Sequence, residues 1–169
     1  MSEQTIDPRN FRRALSQFPT GVTVVTTLDA AGQPIGVTAS SFNSVSVDPP
    51  LILWSVDKRA FSAEIFRTAA HFAVNVLADD QIPLSNRFAG RGEDKFKDMP
   101  WTPGLGGCPV FPGVAALFEC RTWNVYDGGD HLIVVGEVAA YTHTCERAPL
   151  VFAQGSYAVA TTHPALAVA

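Results

Sequence analysis

Positive charge is sparse in this chain: 12 Lys and Arg stand against 16 Asp and Glu, leaving the 169 residues at a net charge of −4. No basic stripe or lysine-rich tail gathers anywhere, so nucleic acid is not an expected partner. No apolar run reaches the ~18 residues that a membrane span needs. The opening MSEQTIDPRNFRR lacks the apolar core of a signal peptide. A cytoplasmic protein that engages no membrane is the expectation. Cysteine is scarce as well. Cys108, Cys120 and Cys145 are odd in number, widely spaced and free of any Cys-x-x-Cys, which excludes a disulfide framework. His143 and Cys145 stand two apart with nothing nearby to complete a ligand set, so no metal site is expected.

An apolar content of 47% with 17% charge fits one globular domain over residues 1–169. DPRNFRRALSQF predicts a first helix: Asp7 caps it, Pro8 suits the first turn, and Phe11, Ala14, Leu15 and Phe18 recur at helical spacing. GVTVVTTL and IGVTA, joined by DAAGQP, predict a hairpin, and LILWSV a buried strand. RAFSAEIFRTA predicts a helix. HFAVNVL alternates like a strand with Phe72, Val74 and Val76 on one side, and DDQIPLSNRFAG predicts a short helix with Pro83 in its first turn. A polar loop, GRGEDKFKDMPW, follows. Two long strands joined by DGGD close the pattern. Strands dominate without regular strand–helix alternation, so the expected fold is mainly β, a closed or nearly closed antiparallel barrel with short helices.

GLGGCP has the wrong spacing for a dinucleotide-binding loop, and its prolines cannot open the required helix. No serine sits in a nucleophile elbow. More specific is GVTASSFNSVSVDPP at 36–50, hydroxyls and an asparagine interrupting apolar strands and closed by Pro49-Pro50. Hydroxyls beside strand ends bind carbonyls, ring nitrogens or phosphate oxygens without net charge; a solvated turn is the plainer reading. Lys58, Arg59 and Ser62 stand at a predicted helix entrance, where anions are favoured, and Arg87 offers forked donors for a phosphate.

The segments FPTGVTVVTT, GVTASSFNSVSVDPPL, SVDKRAFSAEIF, NRFAGRGEDKF, GDHLIVVGEV and PLVFAQGSY occur in that order over roughly residues 8–158. Together they resemble the flavin reductase-like proteins, with a Greek-key FMN-binding split barrel, that serve as small reductase components of two-component flavin monooxygenases. The resemblance implies FMN or FAD as cofactor, NADH or NADPH as reductant, a homodimer, and a flavin-dependent monooxygenase partner. It implies that Gly36, Val37, Thr38, Ser40 and Ser41 surround the flavin ring and ribityl chain. Ser55, Val56 and Asp57 lie beside the ring, and Phe61 and Ser62, with Lys58 and Arg87, near the phosphate. His131 of the GDH segment would contact or orient the dihydronicotinamide, and Tyr157 would lie near the same pocket. The activity implied is hydride transfer from NAD(P)H to flavin, in which the protein stacks two rings within about 3–3.5 Å. A flavin-binding electron carrier that never uses nicotinamide is the alternative; the GDH segment favours the enzyme.

Overall fold

The computed structural model describes residues 5–92 and 94–163. The first four residues, Glu93 of the predicted polar loop and the end of the tail from 164 lie outside the described residues. In chain order the elements are α1 (Pro8–Leu15), β1 (Thr20–Gly21), β2 (Thr23–Leu28), β3 (Pro34–Ala39), β4 (Asn43–Val47) and β5 (Pro50–Asp57). Next come α2 (Ala63–Thr68), β6 (His71–Val76), α3 (Ile82–Ala89), β7 (Thr102–Pro103) and β8 (Pro109–Val110). The chain ends in β9 (Ala116–Gly128), β10 (His131–His143), β11 (Leu150–Ala153) and β12 (Ser156–Val159).

Seven strands form one antiparallel sheet in the order β3-β2-β6-β9-β10-β5-β4, with β1-β11-β12 and β7-β8 as small satellites. After β5 the chain passes through α2 and returns to lie beside β2, the long connection of the expected Greek key. β9 and β10, 13 residues each, meet at the two-residue turn Gly129–Asp130, where the DGGD signature placed a hairpin. Gly129 adopts φ +79°, the left-handed conformation such turns require. The sheet is not closed by a ladder: among the described residues no pairing joins the edge strands β3 and β4.

Inside the curl of the sheet lie Val25, Ile52, Trp54, Phe66, Phe72, Val74, Leu132 and Val134. Trp54 meets Phe66 edge-on at 4.7 Å and 81°, a geometry worth about 1 kcal/mol beyond burial. Gly136 is fixed by this core, since a Cβ there would stand 2.3 Å from Phe72 Cζ. A second core, including Val22, Val24, Leu84, Phe88, Phe111 and Leu150, lies on the outer face of the sheet beneath α3. β6 therefore differs from the one-sided strand that its alternation predicts. Phe72 through Asn75 are all buried, because β6 sits between β2 and β9 with packing on both faces.

α1 is capped as expected, the Asp7 carboxylate accepting from Arg9 N at 3.1 Å and Asn10 N at 3.3 Å. None of its residues is buried, and Phe11, Leu15 and, just beyond its end, Phe18 face solvent. α2 begins later than RAFSAEIFRTA suggests. Asp57 binds the amide and guanidinium of Arg59, Ala60 N donates to Asp57 O, and the resulting turn delays the helix to Ala63. Phe61 lies in that turn, 86% exposed.

Candidate functional site

The seam where the sheet fails to close is bridged by one side chain. Ser41 Oγ accepts from Ser55 N at 2.9 Å and donates to Ser55 O at 3.1 Å, so a hydroxyl stands in for the ladder bonds that another strand would make to β5. Beside this bridge opens a cavity of about 280 Å3. Its walls are Val37, Thr38, Ser40 and Ser41 from β3 and the following turn, and Ser55, Val56 and Asp57 from β5; His131, at the start of β10, completes it. Eight of the predicted site residues thus converge on one hollow. Thr38 Oγ1 is committed to Ser85 O at 2.7 Å, tying β3 to α3. The Ser40 and Ser55 hydroxyls make no such commitment among the described residues and remain available to a ligand.

β10 pairs with β5 in a register that sets His131 opposite Asp57. Asp57 is engaged by Arg59, and that side-chain contact holds its carboxyl well below the usual carboxylate range. His131 Nδ1 lies 2.6 Å from Asp130 Oδ1, and Asp130 is likewise lowered by the hydrogen bond to His131. Lys58 points away from the cavity. Its Nζ donates to Asp127 Oδ1 and to Gly129 O, each at 2.6 Å, and so fastens the hairpin tip to the β5–α2 turn.

The other predicted residues are placed differently. Gly36 packs rather than lines: a Cβ there would stand 2.6 Å from Phe88 Cε1, so its glycine admits the second core. Phe61 projects into solvent, and Ser62 is buried at the start of α2 with no side-chain cap bond. Arg87 donates to Lys97 O and lines a separate hollow of about 290 Å3 beside Leu84, Met99 and Phe111. Tyr157 anchors α3, its hydroxyl within 2.9 Å of Ser85 Oγ and 2.7 Å of Asn86 Oδ1. Sequence reading missed three apolar residues of the lining, Ala39, Trp54 and Ala60. Small residues among strand and turn carry no signal of their own; the buried LILWSV run marked Trp54 only as core.

Thiol chemistry does not belong to this site. Cys108 and Cys120 are buried, and desolvation pushes their thiols up to about 11 and about 12. Nor does the site bring two carboxylates together for acid–base work, since Asp57 is engaged by Arg59 and Asp130 by His131. What the hollow offers is unpartnered hydroxyls, a small apolar lining and one imidazole at its edge. That set fits a flat heteroaromatic ring with carbonyl and ring-nitrogen acceptors. The volume, near the lower end of the roughly 300–1,000 Å3 of ligand pockets, suits the ring system of a flavin rather than a whole dinucleotide.

A family model described as "Flavin reductase like domain" matches residues 15–161. The chain is 48% identical to FMN reductase (NADH) SmoA of Agrobacterium fabrum, over 88% of this chain and 84% of the relative. It is 40% identical to the flavin-dependent monooxygenase reductase subunit HsaB of Rhodococcus jostii, over 93% of this chain and 80% of the relative. The structure of the Streptomyces globisporus NADH:FAD oxidoreductase SgcE6 with NAD and FAD fragments superposes with a TM-score of 0.85 at 37% identity, covering 95% of this chain and 98% of that one. The chain spans about half the length of a Rhizobium meliloti relative with which it shares 46% identity. Among the described residues no helix is long and apolar enough to cross a membrane.

Proposed function

The chain belongs to the flavin reductase-like family, and from that membership we propose that it is an NAD(P)H:flavin oxidoreductase supplying reduced flavin to a partner monooxygenase. The observation that carries the reading is the cavity at the open seam, where serines of β5 and of the turn after β3 line a hollow of ring size together with His131. Bound there, FMN or FAD supplies the hydride acceptor for a dihydronicotinamide. Ser40 and Ser55 would hold the ring by donating to its acceptors. Val37, Val56 and Trp54 keep water from the ring's apolar part, and Ser41 holds the two walls at a fixed separation. His131 orients the nicotinamide. Ser62, its hydroxyl unbonded at the start of α2, would hold the phosphate. No protein nucleophile and no general base is needed, which suits a site without a free carboxylate.

We further propose a homodimer. α1 carries Phe11 and Leu15 on a helix that buries nothing in its own chain, and Trp123, Tyr126 and Tyr141 of the long hairpin are exposed as well. A second copy covering these groups would remove them from water and wall the seam. The relatives named as monooxygenase reductase subunits support an oxygenase partner, and the cytoplasm, where NAD(P)H is made, is the proposed location.

The test follows NADH and NADPH oxidation with and without added FMN or FAD, together with flavin titration of wild type and His131→Ala. Flavin-dependent oxidation that falls at least tenfold in His131→Ala, with flavin affinity kept, is the expected result. Flavin binding without oxidation of either nicotinamide would instead identify an electron carrier.

A further inference from the structure

The hairpin tip that carries His131 is fixed by bonds to its neighbours. Besides the two Lys58 Nζ bonds, Lys58 N donates to Asp130 O at 3.0 Å and Gly129 N to Asp127 Oδ1 at 3.2 Å. Five charged groups gather where the hairpin tip meets the end of β5: Asp57 and Arg59 on the β5 side, Lys58 beside them, and Asp127 and Asp130 on the hairpin. Four of the five are occupied by one another, Asp57 by Arg59 and Asp127 by Lys58. Only Asp130 reaches the ring, its Oδ1 at 2.6 Å from Nδ1.

An ionised carboxylate accepts hydrogen bonds and cannot donate them, so the proton of a neutral imidazole facing it must sit on Nδ1. Nε2 then carries a lone pair and has no protein partner among the described residues. Resting on the functional reading above, we propose that Asp130 is a positioning residue: it fixes His131 in the Nδ1–H tautomer, so that Nε2 accepts an N–H of the nicotinamide carboxamide. The Lys58 amide, by holding the Asp130 carbonyl, sets where that carboxylate stands. A primary carboxamide supplies an N–H for that lone pair, whereas the opposite tautomer would turn a donor toward this N–H and require the carboxamide to present its carbonyl instead. Asp130 thereby acts on reductant binding and leaves flavin binding untouched.

The experiment compares wild type, Asp130→Ala and Asp130→Glu as full chains carrying 15N-labelled histidine. Ring nitrogens are read by NMR at about pH 8, above the ordinary histidine range, with the His131 signals assigned by their loss in His131→Ala. KM for NADH, kcat and flavin Kd are measured in parallel. Expected is a protonated Nδ1 and bare Nε2 in wild type and a mixture of tautomers in Asp130→Ala. KM for NADH rises about fivefold in that variant, the scale of one neutral hydrogen bond, while kcat and flavin Kd stay within twofold. Asp130→Glu, which keeps the carboxylate, restores part of the tautomer and of KM. Ring signals unchanged by Asp130→Ala, or a mixed tautomer with unchanged KM, overturns the proposal. A wild type that binds flavin yet oxidises no NADH refutes the functional reading and the nicotinamide contact together. The tautomer comparison then decides Asp130's hold on the ring by itself.

Discussion

The threonines of β2 and the serines at the seam carry the same group, yet Thr23, Thr26 and Thr27 of β2 are buried and bonded to main-chain carbonyls, at 2.8, 2.6 and 2.8 Å. Across the seam Ser40 and Ser55 face a hollow with no side-chain partner. Asn75 completes the first group: its amide donates to Val24 O at 3.1 Å and accepts from Phe111 N at 2.9 Å, stitching the loop before β9 to the sheet. A hydroxyl whose bonds are satisfied inside a fold contributes to that fold; one left without a partner beside a cavity is free to bind a ligand. Composition alone cannot separate the two groups, because TVVTTL is nearly as hydroxyl-rich as VTASS.

The comparison breaks most visibly at Asn75. Asn75→Leu strands the buried Phe111 amide and removes a bonded network, so urea unfolding should register a loss of about 3 kcal/mol. Flavin affinity per folded chain should stay unchanged; a weakened flavin with intact stability would assign Asn75 to the site instead. Ser55→Ala sharpens the other side. Stability should hold within about 0.5 kcal/mol, while flavin Kd rises about fivefold for one lost hydrogen bond. Equal flavin affinity in the variant would remove Ser55 from the cradle. Acid gives the smallest effect. Asp57, Asp127 and Asp130 are all lowered below the ordinary carboxylate range by Arg59, Lys58 and His131. Their contributions are therefore full above roughly pH 4 and fade as the pH drops through the lowered values. The β2 threonines do not titrate. Amide protection of Lys58 and Gly129 should thus decline in acid before that of β2, and a uniform decline would contradict the division.

Much of this was legible in the residues. The DGGD turn, the capped first helix and the mainly antiparallel β fold follow from turn chemistry and periodicity, which act locally. The hydroxyl run and the GDH segment, which resemble the flavin reductase-like proteins, identified most of the cavity lining. Local pattern does not report where a long side chain ends. Lys58 and Arg87 read as anion binders because they carry charge near helices, but one fastens a hairpin and the other leaves α3 toward a different hollow. Gly36 looked like a cofactor contact, and its constraint comes from Phe88, 52 positions later in the chain. Such pairings exist only once the chain has folded. The delayed start of α2 had a local cause, the Asp57–Arg59 contact, which helical spacing conceals.

The two-residue turn between β9 and β10 has a consequence for how this chain can diverge. β10 begins at His131, directly opposite Asp57 on one side and Gly128 on the other. One inserted residue would slide the imidazole past its register, and with it the carboxylate of Asp130, whatever the insertion's chemistry. At the tip Gly129 must keep its left-handed backbone and Asp130 its carboxylate, and the tip's length is held as well. In this hairpin the number of residues guards the site alongside their identities.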